Sequence, residues 1–244
     1  MIHTALRFLI EVSTHWLCAL KRNLRVNPVS LGQGGPVKAN LGCGLAVEKG
    51  WINVDASLNA LVAGWPSVFH RQFYRLSGAS RYYSLSDYCA LLRDHIFLHR
   101  DLSYGLPFTN HSVDFLYCSH FLEHLPRPAA LMLLRESFRV LKPSGTLRIC
   151  VPDLAYAVAL YAQGESKKML ANYFFVEDLE SSMARHRYMY DYPLLEAALL
   201  ESGFASVTRC GYRQGVTPDL GTLDNRPEET LFVEAKRCPS PPSA

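Results

Sequence analysis

Two glycines one residue apart, Gly42 and Gly44, close the apolar run Val37-Lys-Ala-Asn40-Leu41, and the next apolar run, Trp51-Ile-Asn-Val54, ends in a carboxylate, Asp55. A turn with no side chains at its tip lets a ligand lie against the main chain. An ionised carboxylate can only accept hydrogen bonds, which suits it to vicinal hydroxyls such as those of a ribose. Two phosphate-binding readings fail on spacing. The dinucleotide fingerprint needs a third glycine where this chain has Val47, and its acid comes ~20 residues later, whereas Asp55 arrives early. No Gly-Lys-Ser/Thr follows the turn, so a P-loop is excluded as well. What remains is an adenosyl ligand without a phosphate.

A second group could move protons. His120 follows an apolar run, Val113–Cys118, and is placed either to act as general base or to cap and orient its loop; Asp153, after another such run, and His186 are further acid–base candidates. His120-Phe-Leu-Glu123-His124 also spells the inverted zinc-peptidase motif, with Glu196 or Glu201 available as a third ligand. That chemistry needs both histidines on one helix face with an open coordination position. Because His120 follows a strand directly, it is expected in a turn, and no metal is expected. Tyr188, Tyr190 and Arg71 are candidates for contact with a substrate. Tyr188, Met189 and Tyr190 could equally pack beneath the helix that follows them, the reading preferred for Met189.

These residues need a framework, and the hydrophobic periodicity supplies one. Strands are expected at Val37–Leu41, Ile52–Asp55, Ile96–His99, Val113–Cys118 and Thr146–Val151. Leu131, Leu134, Phe138 and Leu141 recur at helical spacing in a helix over 127–141, which starts near Pro128 and stops at Lys142-Pro143-Ser144-Gly145. Asp191 should cap a helix over 192–202 with Gly203 after its end, and Phe204–Tyr212 and Thr230–Ala235 close the domain as strands. Alternating strands and helices predict an α/β fold, a mainly parallel sheet with helices on both faces.

Taken in order, Asn40-Leu-Gly-Cys-Gly44, Asn53-Val-Asp55, Asp101-Leu102, Leu106-Pro-Phe108, Ser112-Val-Asp114, Leu122-Glu-His124-Leu125 and Arg139-Val-Leu-Lys-Pro-Ser-Gly145 resemble the class I S-adenosylmethionine-dependent methyltransferases, of the type 11 kind. The Gly-Trp-Ile-Asn-Val-Asp run and the Tyr188-Met-Tyr-Asp191 segment are most similar to a bacterial subset often linked to surface-polysaccharide synthesis. The resemblance implies a Rossmann-like sheet of seven strands with an antiparallel last strand, and S-adenosyl-L-methionine as cofactor. It places Asn40, Gly42, Cys43 and Gly44 at the methionine end, Asp55 on the ribose, Asp101 and Leu102 at the adenine, and Cys118 and Ser119 near the methionyl part. It implies methyl transfer to an oxygen or nitrogen of a small molecule or sugar; Arg71, Arg75 and Arg81 would suit an anionic acceptor such as a nucleotide sugar. The chain departs from the family pattern in having Asn40 for an acid and Ala46 for a third glycine. A cofactor-binding protein that partners another enzyme is the alternative function, and a zinc peptidase the remote one.

A chain of 244 residues, 49% of them hydrophobic, can bury one large core, and a net charge of +3 does not suggest nucleic acid as a partner. Seven cysteines without a C-x-x-C pair suit a reducing, cytoplasmic setting. The organisation expected is an N-terminal amphipathic helix in 1–26, a linker in 27–36, a methyltransferase domain in 37–236 with an insertion-like region in 58–95, and a disordered tail in 237–244. Residues 1–20 lack a basic leading region and read as a poor signal peptide; Ile2, Leu6, Leu9, Trp16 and Leu20 recur at roughly helical spacing, which favours a helix docked on the protein body, with contact of residues 1–25 to a membrane surface or a partner as the alternative.

Overall fold

The computed structural model describes residues 2–28, 35–174 and 185–238, with side chains from residue 12 onward. Seven strands form one sheet: β1 (Lys38–Leu41), β2 (Ile52–Asp55), β3 (Ile96–His99), β4 (Val113–Ser119), β5 (Leu141–Pro152), β6 (Ser206–Cys210) and β7 (Thr230–Lys236), in the order β3-β2-β1-β4-β5-β7-β6. Only β7 runs against its neighbours, as expected. The strand order reverses between β1 and β4, and open α/β sheets bind ligands at such a switch point, beyond the carboxyl ends of the strands. Leu41 pairs with Cys118, so the turns leaving β1 and β4 open side by side.

The interval between β1 and β2 holds no helix, only turns through Gly44 and Gly50, both with positive φ. Region 58–95 holds three helices, α2 (Leu58–Ala63), α3 (His70–Phe73) and α4 (Leu85–Asp94), around a small core of its own: Val62, Ala79, Tyr88 and Leu92. Helix α5 (Arg127–Val140) buries Ala130, Leu133, Leu134, Ser137 and Val140 at helical spacing. The Lys142–Gly145 segment ends that helix, yet it is already part of β5: Leu141 pairs with Val113 before a bulge that carries Ser144 at φ +67°.

Helix α6 (Leu154–Ala162), capped by Asp153, and the short α7 (Ser166–Met169) follow β5; neither was anticipated. Helix α8 (Tyr192–Glu201) begins as foreseen, with Asp191 accepting from the Leu194 N–H at 2.9 Å. A last short helix, α9 (Leu220–Leu223), lies between β6 and β7.

The N-terminal segment is helical over α1 (Ile2–Lys21). Thr14 and Cys18, four residues apart, face inward and are buried, while Val12, Trp16 and Leu20, at the same spacing, are exposed. Among the described residues no helix is long and apolar enough to cross a membrane. Residues 29–34 of the expected linker and 239–244 of the expected tail lie outside the described residues.

Candidate active site

A cavity of ≈ 600 Å³ lies at the switch point, lined by Gly42, Gly44, Asp55, Asp101, Leu102 and His120 among others. Six residues singled out from sequence therefore meet at one place. Gly44 sits at φ +53°, where a side chain would be strained, and a Cβ there would project into open space. The Gly44 N–H donates to Asp55 Oδ2 at 2.9 Å and the Ser57 N–H to Oδ1 at 2.7 Å. These bonds fix the carboxylate and use two of its roughly four lone-pair sites, leaving others for a ligand's hydroxyls. Asp101 is held likewise, with Oδ1 accepting from the Ser103 N–H at 2.9 Å. The bare turn and the two oriented carboxylates fit an adenosyl ligand without phosphate.

Other expected contacts lie behind this surface. Asn40 is buried, its amide donating to the Ala46 carbonyl at 2.8 Å and to Asn53 Oδ1 at 3.2 Å, so it braces the glycine turn from within. Cys43 and Cys118 are buried, and burial pushes both thiols well above the ordinary range; neither they nor Ser119 line the cavity. Asp153 caps α6 and pairs with Arg209 at 3.0 Å, away from the cavity. Tyr190 belongs to the main core, and Tyr188 packs on it with ring centroids 4.9 Å apart beneath the Arg127 guanidinium. Met189 packs with Ala157, Leu160 and Tyr173, as preferred. Arg71 lies on α3, outside the lining.

His120 sits immediately after β4 at φ +49°, an uncommon backbone for a side-chain-bearing residue and one that clusters at functional sites. Its Nε2 lies 3.1 Å from Thr230 Oγ1, and its Nδ1 lies 3.4 Å from Glu123 Oε1, outside hydrogen-bond alignment. From the sequence His124 reads as a helix residue packed beneath the site; instead it lines the cavity, and Leu122–His124 is a single 3-10 turn. The two histidines of the H-x-x-E-H motif therefore do not share a helix, and the peptidase arrangement is not formed. His186 approaches from the segment before α8. Its ring centroid is 5.2 Å from that of His124, and burial lowers its pKa.

Several lining residues escaped the sequence reading. Thr14 and His15 come from α1, with His15 Nε2 3.7 Å from Asp101 Oδ2. Cys18 Sγ lies 3.4 Å from His99 Nε2, docking the helix on the end of β3. Arg100 and Arg187 add positive charge to the lining. Arg100 adjoins the foreseen Asp101 at a strand end, a signal available in the sequence; the helical spacing in the N-terminal segment pointed to a docked helix, but not to which of its residues would reach the cavity.

Residues 77–149, from before α4 to within β5, match the family described as methyltransferase domain. A solved structure of a possible exported protein from Bordetella parapertussis is 17% identical, with a TM-score of 0.50 over 97% of this chain and 67% of its own. The S-adenosylmethionine-dependent methyltransferase SibL is 18% identical with a TM-score of 0.50, over 87% of this chain and 54% of its own. This chain thus spans about half the length of SibL. No curated protein matches it.

Proposed function

We infer that this chain, an S-adenosylmethionine-dependent methyltransferase of the class I fold, passes the methyl group to an oxygen or nitrogen of a small-molecule or sugar-type acceptor in the cytoplasm. The convergence of the bare Gly44 turn, Asp55, Asp101 and His120 on one cavity carries this reading. The cofactor, when bound, supplies a methyl group on a positively charged sulfur, open to in-line displacement. Holding acceptor and donor in line can itself lower the barrier by up to ~7–11 kcal/mol, so the protein needs no covalent nucleophile.

Each residue then has a task. Asp55 grips the ribose hydroxyls and Asp101 accepts from the adenine amino group beside Leu102. His120 stands nearest the transfer end and accepts the acceptor's proton through Nε2, the nitrogen that now rests against Thr230. Arg100 and Arg187 offset the Asp55 and Asp101 carboxylates in the lining, and their guanidinium groups suit an acceptor bearing negative charge, such as a nucleotide sugar.

Titration calorimetry tests the cofactor arm: Asp55→Ala should weaken S-adenosylmethionine binding about 10- to 100-fold, the loss of charge-assisted hydrogen bonds. Unchanged affinity would remove Asp55 from the site. Release of S-adenosylhomocysteine across a panel of sugars, nucleotide sugars and amines tests the acceptor arm. His120→Asn should lower kcat by about 10²-fold or more on the best acceptor while leaving cofactor affinity in place.

A further inference from the structure

Beside the cavity three side chains present only acceptor atoms to one another. Glu123 is 1% exposed, and among the described residues neither of its carboxylate oxygens has a hydrogen-bond partner. A buried carboxylate in that state is costly, and native structures avoid it unless a proton or a cation completes the site. His124 Nδ1 lies 3.2 Å from the Arg185 carbonyl, and His186 Nδ1 lies 2.7 Å from the Tyr173 carbonyl. A carbonyl can only accept, so both Nδ1 atoms carry the hydrogen. Each neutral ring is then left with a bare lone pair on Nε2.

The second ring nitrogen donating to a backbone carbonyl is the pattern that orients metal-binding histidines. His124 Nε2 is 3.9 Å from Glu123 Oε1, and one ligand atom from each of Glu123, His124 and His186 falls within 4.8 Å of the others. In tetrahedral coordination at about 2.0–2.2 Å per bond, ligand atoms sit somewhat closer than this, within reach of side-chain adjustment.

We propose that Glu123, His124 and His186 form a binding site for a divalent transition-metal ion of the zinc class, open on the side that faces the cavity. The donor set decides the class. Two imidazoles and one carboxylate suit zinc, cobalt or nickel, whereas magnesium and calcium take oxygen ligands. Among the described residues three protein ligands converge, which leaves a coordination position for water or for an oxygen of the acceptor, and His124 is the ligand that reaches the cavity lining. His120, with Nδ1 3.4 Å from Glu123 Oε1, stands where a small rotation would let it donate to the carboxylate and steady it. The site depends on neither the methyl acceptor nor the cofactor for its binding of metal.

The test is titration of the chelator-stripped full-length chain with Co²⁺, read by visible d–d absorption, and with Zn²⁺, read by calorimetry, with Mg²⁺ as comparison. One equivalent of Zn²⁺ should bind, Co²⁺ should give the intense spectrum of low coordination number, and Mg²⁺ should not compete. Glu123→Gln and His186→Asn should each weaken Zn²⁺ binding more than tenfold while S-adenosylmethionine affinity holds. Zn²⁺ should also raise the melting temperature of the wild-type chain reversibly, a readout that survives if a variant fails to fold. No saturable binding, a weak six-coordinate cobalt spectrum, or equal affinity in wild type and both folded variants would overturn the proposal.

Discussion

Two buried clusters of charge, one within the strand ladder and one just beyond the carboxyl end of β4, treat their charges differently. In one, Arg148 on β5 is fully buried and meets Asp224 through two nitrogens at 3.1 and 2.5 Å, the Gln214 and Gly211 carbonyls, and Glu234 at 3.5 Å. Asp224 accepts in addition from the Tyr117 hydroxyl and the Arg213 N–H, and Glu234 from the Val216 and Thr217 N–H groups. Burial alone would lower the arginine pKa, but the hydrogen bonds and charge of Asp224, with Cys150 and Glu234 beside it, together outweigh burial and the net shift is upward. In the other cluster, Glu123 is as deeply buried, yet no described residue makes a hydrogen bond to its carboxylate, with His120 Nδ1 standing 3.4 Å away. A cluster whose donors and acceptors balance holds a fold together; one with acceptors alone is shaped for something that has yet to arrive.

The contrast can be broken by the same chemical change made at both places. Asp224→Asn removes one partner of a buried ion pair and should cost about 3–5 kcal/mol in urea unfolding, because the guanidinium stays behind under-compensated. A loss below about 1 kcal/mol would show that the cluster is not a structural brace. His99, on the end of β3, gives an intermediate case. It is buried beside Cys18 with Nε2 3.1 Å from the Ala56 carbonyl, and burial chiefly lowers its pKa to about 4.

For a group depressed in the folded state, the unfolded chain takes up the proton first. Stability is therefore greatest above pH 6.5 and falls as pH drops toward 4, by about 2 kcal/mol over that window. Thermal melts of His99→Gln should show a flatter profile between those pH values, and an unchanged slope would place the titrating group elsewhere.

Smaller effects sharpen the comparison. Glu123→Gln in metal-free protein should leave stability within about 1 kcal/mol of wild type or raise it, since it neutralises a carboxylate without a donor. A loss as large as that of Asp224→Asn would make the two clusters alike. Arg135→Ala breaks the exposed 2.9 Å pair with Glu201 and should cost less than about 0.5 kcal/mol, measured by the same urea titration.

How much of this was legible in the sequence follows from distance along the chain. The strand, Gly42–Gly44 turn and Asp55 lie within twenty residues, so their types and spacing already define the local geometry. Helix α5 announced itself through periodicity, and α8 through Asp191 and Pro193. Helix α6 did not, because Leu154-Ala-Tyr-Ala-Val-Ala-Leu-Tyr is apolar on every side and carries no period to read. Glu123 and His186 are separated by more than sixty residues, and the docking of the Arg187 and Tyr188 N–H groups on the Glu123 carbonyl, with His124 Nδ1 on the Arg185 carbonyl, brings the second histidine to the first. Arg148 and Asp224 are likewise joined by the sheet and not by any motif. Asn40 was read as a contact for the ligand because its position was informative; that its amide would turn inward to Ala46 depended on a neighbouring strand supplying Asn53.

One wall of the cavity is built from residues that precede the first strand. With Thr14 and His15 at the lip and Cys18 anchoring them on His99, a version of the chain started at Val37 would keep every strand of the sheet and still offer its nucleoside a site without a roof. Whatever takes hold of the outward stripe of Val12, Trp16 and Leu20 thereby takes hold of the helix that brings Thr14 and His15 to the cavity beside Asp101.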